Sequence, residues 1–187
     1  MKKIELVYRE ILYQTIEKKS RKLTQLDLSK TLQISISTVH HALKPLKKMG
    51  CIRVKLKGLE IVDPKKILLY WASIRNLEKD VIYQTRVSKP VDEIEKSMPG
   101  DVVFAAYSAY KFMFKKMPAD YSEVYVYAND IEEIKKRFPE NKNPPNLFVL
   151  KKEFNEMVLA NLFADLWNLK EWYAKAFLKE LEDKLNL

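Results

Sequence analysis

Apolar residues recur along this chain with two different periods, and the changes of period mark out its elements. Ile4, Val7, Tyr8, Ile11, Leu12 and Ile16 repeat at helical spacing, which predicts a helix from about Lys3 to Lys18 with one apolar and one charged face. A basic loop follows, Lys18-Lys19-Ser20-Arg21-Lys22. Thr24-Gln25-Leu26-Asp27 resembles a capping box with Asp in the third place and opens a short helix ending near Leu32. After a tight turn, Gln33-Ile34-Ser35, a third helix is capped by Ser35 and buries a stripe of Ile36, Val39, Leu43 and Leu46. That leaves Ser37, Thr38, His41, Lys44 and Lys48 outward. Pro45 removes an amide donor and crowds the carbonyl of His41, so this helix is expected either to bend there or to stop early. Beyond Gly50 the period falls to two. Ile52, Val54 and Leu56 alternate with Arg53, Lys55 and Lys57, Lys57-Gly58 turns the chain, and Leu59, Ile61 and Val62 complete a hairpin over 51–62 with a basic tip. Asp63-Pro64 then opens a helix with Ile67, Tyr70, Trp71 and Ile74 on its apolar face.

From Lys79 the pattern changes. Val81 to Val87 is rich in β-formers, Pro90 to Met98 reads as a short acidic helix, and Pro99-Gly100 breaks it. Val102 to Phe114 has few polar residues and predicts a buried helix. Tyr121 to Tyr127 alternates as a strand, Asp130 caps a helix through Phe138, and Asn143-Pro144-Pro145-Asn146 turns into a strand from Leu147 to Leu150. Two helices finish the chain. One carries Met157, Leu162 and Leu166, the other Ala174, Phe177, Leu178, Leu181 and Leu185, with Trp167-Asn168-Leu169 between them. The fold class is therefore α+β, with a helix-rich first domain over 1–76 and a small α/β domain of a few strands and C-terminal helices over 77–187.

Charge sharpens that division. Through Val62 there are 14 Lys/Arg against 5 Asp/Glu, which leaves 20 of each for the remainder, so the formal net charge of +9 belongs to the first third. Scattered lysines usually form a solvated face. Here few acids balance them, and a lysine without a neighbouring carboxylate displaces condensed counterions from a polyphosphate. The partner expected is double-stranded DNA. No apolar run reaches the roughly 20 residues of a membrane helix. Glu5, Arg9 and Glu10 interrupt any hydrophobic segment that a leader would need, so no membrane partner and a cytoplasmic location are expected. A single cysteine, Cys51, and two histidines offer neither a disulfide framework nor a metal-ligand spacing, so no metal or other cofactor is expected. Cys51 reads as a small core residue. His40-His41 reads as a solvent or DNA contact rather than a metal pair or pH switch, because adjacent residues point to different sides of a helix.

Helix, helix, helix, hairpin is the order of a winged helix-turn-helix. Residues 20–75, with Ser35-Ile36-Ser37-Thr38-Val39 followed by Leu43 and Gly50, resemble the winged-helix domain of prokaryotic transcription regulators. In such a module the third helix enters the major groove and its amino-terminal residues reach base edges. Ser37, Thr38 and His41 are the candidate base-reading residues. Lys18, Lys19, Arg21, Lys22, Lys44, Lys48, Lys55 and Lys57 are the candidates for gripping the phosphate backbone.

Three further stretches are similar to the AbiEi-type antitoxin-like regulators, particularly archaeal members: Val102 to Tyr110, Val124-Tyr125-Val126-Tyr127, and Ala164-Asp165-Leu166-Trp167-Asn168-Leu169. The resemblance implies a DNA-bound winged helix and a second domain related in layout to nucleotidyltransferases. Such enzymes hold nucleotide phosphates on a Gly-Ser turn and bind two metal ions on strand carboxylates at alternate positions. This chain has Ala105-Ala106-Tyr107-Ser108 in the turn, and Glu123, Tyr125 and Tyr127 alternate with valines, so no two carboxylates share a strand face; Asp120 and Glu123 fall on opposite ones. No catalytic residue is assigned and an enzyme is not expected. Tyr107, Tyr110, Phe112 and Phe114 read as core rather than a stacking platform. The leading reading is a DNA-binding transcription regulator whose second domain receives a partner, a ligand or another copy of itself. The alternative is an antitoxin acting mainly through its second domain on a cognate toxin, with DNA binding for autoregulation. Paired half-sites and the aromatic-rich terminal helices motivate a homodimer.

Overall fold

In the computed structural model, which describes residues 1–20, 22–56 and 58–185, the fold is α+β and its residues cluster into two compact units. The first contains Met1–Arg75 together with Val158–Ala164; the second contains Asn76–Met157 and the chain from Asp165. Among the described residues no helix is long and apolar enough to cross a membrane.

The first unit opens with α1 (Lys3–Leu12), prolonged by a π-helical turn over Tyr13–Glu17 that ends where the amide of Lys18 reaches the carbonyl of Tyr13 at 3.1 Å. A two-residue strand β1 (Lys22–Leu23) leads into α2 (Gln25–Leu32), α3 (Ile36–Lys48), the hairpin β2 (Ile52–Lys55) and β3 (Gly58–Ile61), and α4 (Pro64–Ile74). The strands form an antiparallel sheet in the order β1-β3-β2. β1 begins on the last residue of the basic loop, where two residues carry no period; its pairing of Lys22 with Glu60 and Leu23 with Leu59 supplies the strand. Gly58 is needed at this crossing. Its φ is +130°, and a Cβ there would lie 2.5 Å from the carbonyl oxygen of Leu23.

The charged face expected on the first helix is not wet. Glu5, Arg9 and Glu10 are all buried, because α4 and the late segment Val158–Ala164 belong to the same unit. One oxygen of Glu5 accepts from Arg75 Nη1 at 2.9 Å and from the Trp71 indole at 3.2 Å. Arg9 Nε donates to Asn161 Oδ1 at 3.2 Å, and the Glu17 carboxylate accepts from the Leu159 amide at 2.9 Å. A buried charge is tolerable only with such partners.

The second unit holds a four-stranded sheet in the order β4-β7-β6-β5. Its strands are β4 (Val81–Thr85), β5 (Val103–Ala105), β6 (Val124–Ala128) and β7 (Leu147–Lys151), and its helices α5 (Val91–Lys96), α6 (Ala106–Phe114), α7 (Ile131–Arg137) and α9 (Ala174–Leu185). The helix α8 (Leu159–Trp167) lies on either side of the unit boundary in sequence. β6 and β7 run parallel through a crossover containing α7, and both outer pairings are antiparallel. Every residue of β6 is buried. Val124, Val126 and Ala128 pack with Leu147, Val149, Ile94, Ile134 and Phe138 in one core, while Tyr125 and Tyr127 alternate to the opposite face.

Val102 to Phe114 is not one helix. Its start forms β5, which turns at Ala105-Ala106 into α6, with Ala106 in the left-handed region at φ +48°. Tyr107 and Tyr110 are core, whereas Phe112 is 39% exposed. Several tyrosines of this unit are tied to carboxylates. Tyr107 and Tyr125 donate to the two oxygens of Glu171 at 3.0 and 3.1 Å, Tyr121 to Glu95 at 2.6 Å, Tyr127 to Asp165 at 2.7 Å, and Tyr173 to Glu123. Burial, aided by nearby Glu171, raises the Glu123 carboxyl above its usual range against the hydroxyl of Ser122.

Candidate nucleic-acid interface

α2 and α3 are set by their caps. Thr24 Oγ1 accepts from the Asp27 amide at 3.0 Å and donates to the Asp27 carboxylate at 2.7 Å. This is the expected box closed through the hydroxyl, since Asp is too short to reach the cap's own amide. α2 ends on Gln33 in the left-handed region (φ +52°), with the Ile34 amide bonded to the Ser29 carbonyl at 3.1 Å. Ser35 Oγ then accepts from the Thr38 amide at 3.2 Å and opens α3. The helix runs through Pro45 to Lys48, so the early stop does not occur. Its end is a Schellman motif: the Cys51 amide bonds the Leu46 carbonyl at 2.9 Å, the Gly50 amide bonds the Lys47 carbonyl at 3.0 Å, and Gly50 has φ +73°. Lys66 Nζ satisfies the Met49 carbonyl at 3.0 Å. Cys51 is buried, and burial pushes its thiol up.

Val39, Ala42, Leu43 and Leu46 form the inner face of α3. Ile36, expected in that stripe, is 50% exposed, because as the first helical residue it projects ahead of the covered surface. The outer face carries Ser37, His41, Lys44 and Lys48, all exposed, flanked by the exposed His40, expected as a solvent or DNA contact, and by Lys47, which lies outside the expected set. Thr38 is half-buried, and its hydroxyl lies 2.8 Å from that of Ser35, which also sits 2.9 Å from the Ser37 hydroxyl. No carboxylate occurs among residues 36–48.

The flanking cations divide between two places. Lys18 and Lys19 are exposed after the π-helical turn, with Lys18 Nζ 5.1 Å from the Tyr13 ring centroid. Lys22 and Arg53 oppose Glu60 from either side on the wing sheet, and Lys55 pairs with the same carboxylate at 3.2 Å. One acid thus stands among three cations. Arg53 is a further residue that the sequence reading passed over, since its register with Lys22 through β3 is a tertiary fact. Arg21 and Lys57 lie outside the described residues. The alternation in β2 has the expected phase, but only Ile52 is covered; Val54 is 55% exposed and Leu56 fully so, because the hairpin extends past the core that would bury them.

A three-helix module with a cationic outer helix and a basic hairpin is built to meet a nucleic-acid duplex. Residues 9–53 match the family model of winged helix-turn-helix DNA-binding domains. The first unit carries that domain. The matched segment takes in the end of α1, all of α2 and α3 and the start of β2, and so includes the whole outer face of α3. No curated protein and no solved structure matches the chain.

Proposed function

We propose that the protein is a transcription regulator that lays α3 in the major groove of DNA and whose second unit is a non-catalytic receiver of a ligand or partner. The observation that carries the first part is the outer face of α3, where hydroxyls and imidazoles at the amino-terminal end are followed by lysines with no intervening acid. Ser37, His40 and His41 present hydrogen-bonding groups to base edges, and Ile36 offers an apolar surface to a thymine methyl. Lys44, Lys47 and Lys48, with Lys22, Arg53 and Lys55 of the wing, neutralise phosphates on either side. The module's acids offer little opposition: Glu5 and Glu10 are buried, and Glu17 and Asp27 are occupied by backbone and hydroxyl partners.

The resemblance to a nucleotidyltransferase layout gains support from the turn at Ala105-Ala106, where a strand passes directly into a helix through a left-handed residue. Alanine methyls occupy the turn, and β6 presents valines and tyrosines where paired metal-binding carboxylates would be required. A regulator rather than an enzyme fits those residues.

The test is titration of the full chain into labelled duplexes, one selected from genomic fragments and one random, at several salt concentrations. The expected outcome is binding whose logarithm falls linearly with the logarithm of salt, and is tighter on the selected duplex. Indifference to both duplexes in dilute buffer would overturn the proposal.

A further inference from the structure

On one face of the second unit's sheet three side chains stand in a row across neighbouring strands. Gln84 of β4 is the register partner of Phe148 on β7, which is the partner of Tyr125 on β6. The Phe148 and Tyr125 rings are stacked, with centroids 4.6 Å apart and planes within 10°. Above this floor lies a cleft of about 360 Å³, at the lower end of the size range of small-molecule sites. Leu77 and Val81 supply an apolar wall on one side, and residues 168–171 supply the other.

Three charged groups border the cleft. Glu78 and Lys170 pair with each other and cancel. Glu171 is left. Its orientation is fixed, because each oxygen accepts one tyrosine hydroxyl, from Tyr125 and Tyr107. A carboxylate oxygen accepts more than one hydrogen bond, so both retain capacity toward the cleft. Tyr125 covers one face of the Phe148 ring, which leaves the other for a third planar group on the side of Gln84. Ring faces carry negative potential and attract cations.

We infer that this cleft binds a small organic cation with a flat unsaturated body, the ring lying against Phe148 and the positive group against Glu171. Gln84 offers the amide oxygen as a second acceptor. An anion of the same shape would meet the Glu171 carboxylate and the negative ring face, in a cleft bordered by two carboxylates and one ammonium. This inference rests on the reading of the second unit as a receiver and names the chemistry of what it receives.

The experiment uses the full chain without DNA and benzamidine as the probe, with benzoate as the charge-inverted and benzyl alcohol as the neutral control, followed by calorimetry and by chemical-shift changes. Benzamidine should saturate the site, benzyl alcohol should bind more weakly and benzoate should not bind. Phe148→Ala and Glu171→Gln should each weaken benzamidine about tenfold, equivalent to ~1.4 kcal/mol. Because Glu171 also anchors two tyrosines, Phe148→Leu keeps the test sharp by retaining apolar volume while removing the ring face. Benzoate binding as tightly as benzamidine, undiminished binding in Phe148→Leu, or no benzamidine binding would overturn the inference. Duplex titration with and without benzamidine separates the two proposals: saturable probe binding in a protein that ignores DNA would support the cleft and refute the regulator.

Discussion

His41 and Lys44 lie one turn apart on the outer face of α3, and the proposed function gives them different work. An imidazole near the helix start reads donor and acceptor positions, whereas an ammonium further along senses only phosphate charge. Lys44→Ala is therefore expected to weaken every duplex alike and to lower the salt slope by about one; His41→Ala should narrow the gap between selected and random duplexes with little change in slope. Anisotropy titrations at several salt concentrations check both, and an equal loss on the two duplexes would remove His41 from base reading. Thr38 is less free than its position in sequence suggested, since its hydroxyl shares the Ser35 cap. Away from DNA, Glu5 is the residue on which the first unit leans. Glu5→Ala removes the carboxylate that the buried Arg75 guanidinium and the Trp71 indole share, and should cost about 3 kcal/mol in urea unfolding.

Among the elements, the turn between α2 and α3 is a place where the sequence departs from backbone preference. Gln33 holds a left-handed conformation that glycine adopts without steric cost. Gln33→Gly should raise stability by roughly 0.5–1 kcal/mol in denaturant melts and leave DNA affinity unchanged. A fall in stability would show that the glutamine side chain contributes more than its backbone costs. Of the aromatic residues in and beside the terminal helices that motivate a homodimer, Tyr173 and Phe177 are buried with their rings against Tyr107, whereas Trp167 and Trp172 are exposed.

For the molecule as a whole, the first unit is not a contiguous stretch of chain. Arg9 and Glu17 find partners at Asn161 and Leu159. A fragment ending at Arg75 should therefore melt at a lower temperature than the corresponding transition of the full chain, as circular dichroism would show; an unchanged melt would make those late residues dispensable. The second unit should be sensitive to alkali. Burial, joined by the neighbouring carboxylates, raises Tyr107, Tyr110, Tyr121 and Tyr125 well above the usual tyrosine value of 10.0. The folded state keeps these protons while the unfolded chain releases them above about pH 10. Stability is thus full below that pH and falls above it. Tyrosinate absorbance and loss of near-ultraviolet dichroism should share one midpoint, and a gradual titration of the folded protein would contradict this.

The sequence by itself determined the features that depend on residues within about four positions of one another: the caps at Thr24, Ser35, Asp63 and Asp130, the turn at Gln33-Ile34-Ser35, the stop at Gly50, and the phase of the wing hairpin. Period reveals which side chains share a face, and from that the winged helix and the cationic side of its third helix were legible. Whether a face is covered was decided only by the tertiary structure. Glu5, Arg9 and Glu10 are buried because α4 and residues 158–164 gather with α1, and Val54 and Leu56 stay wet because they lie where the hairpin extends past the core. The pairing of β1 with β3, the parallel β6–β7 core and the stacked floor of the cleft likewise join positions far apart in sequence. Local hydrogen bonds and side-chain direction are written residue by residue, whereas burial is a property of what the rest of the chain brings alongside.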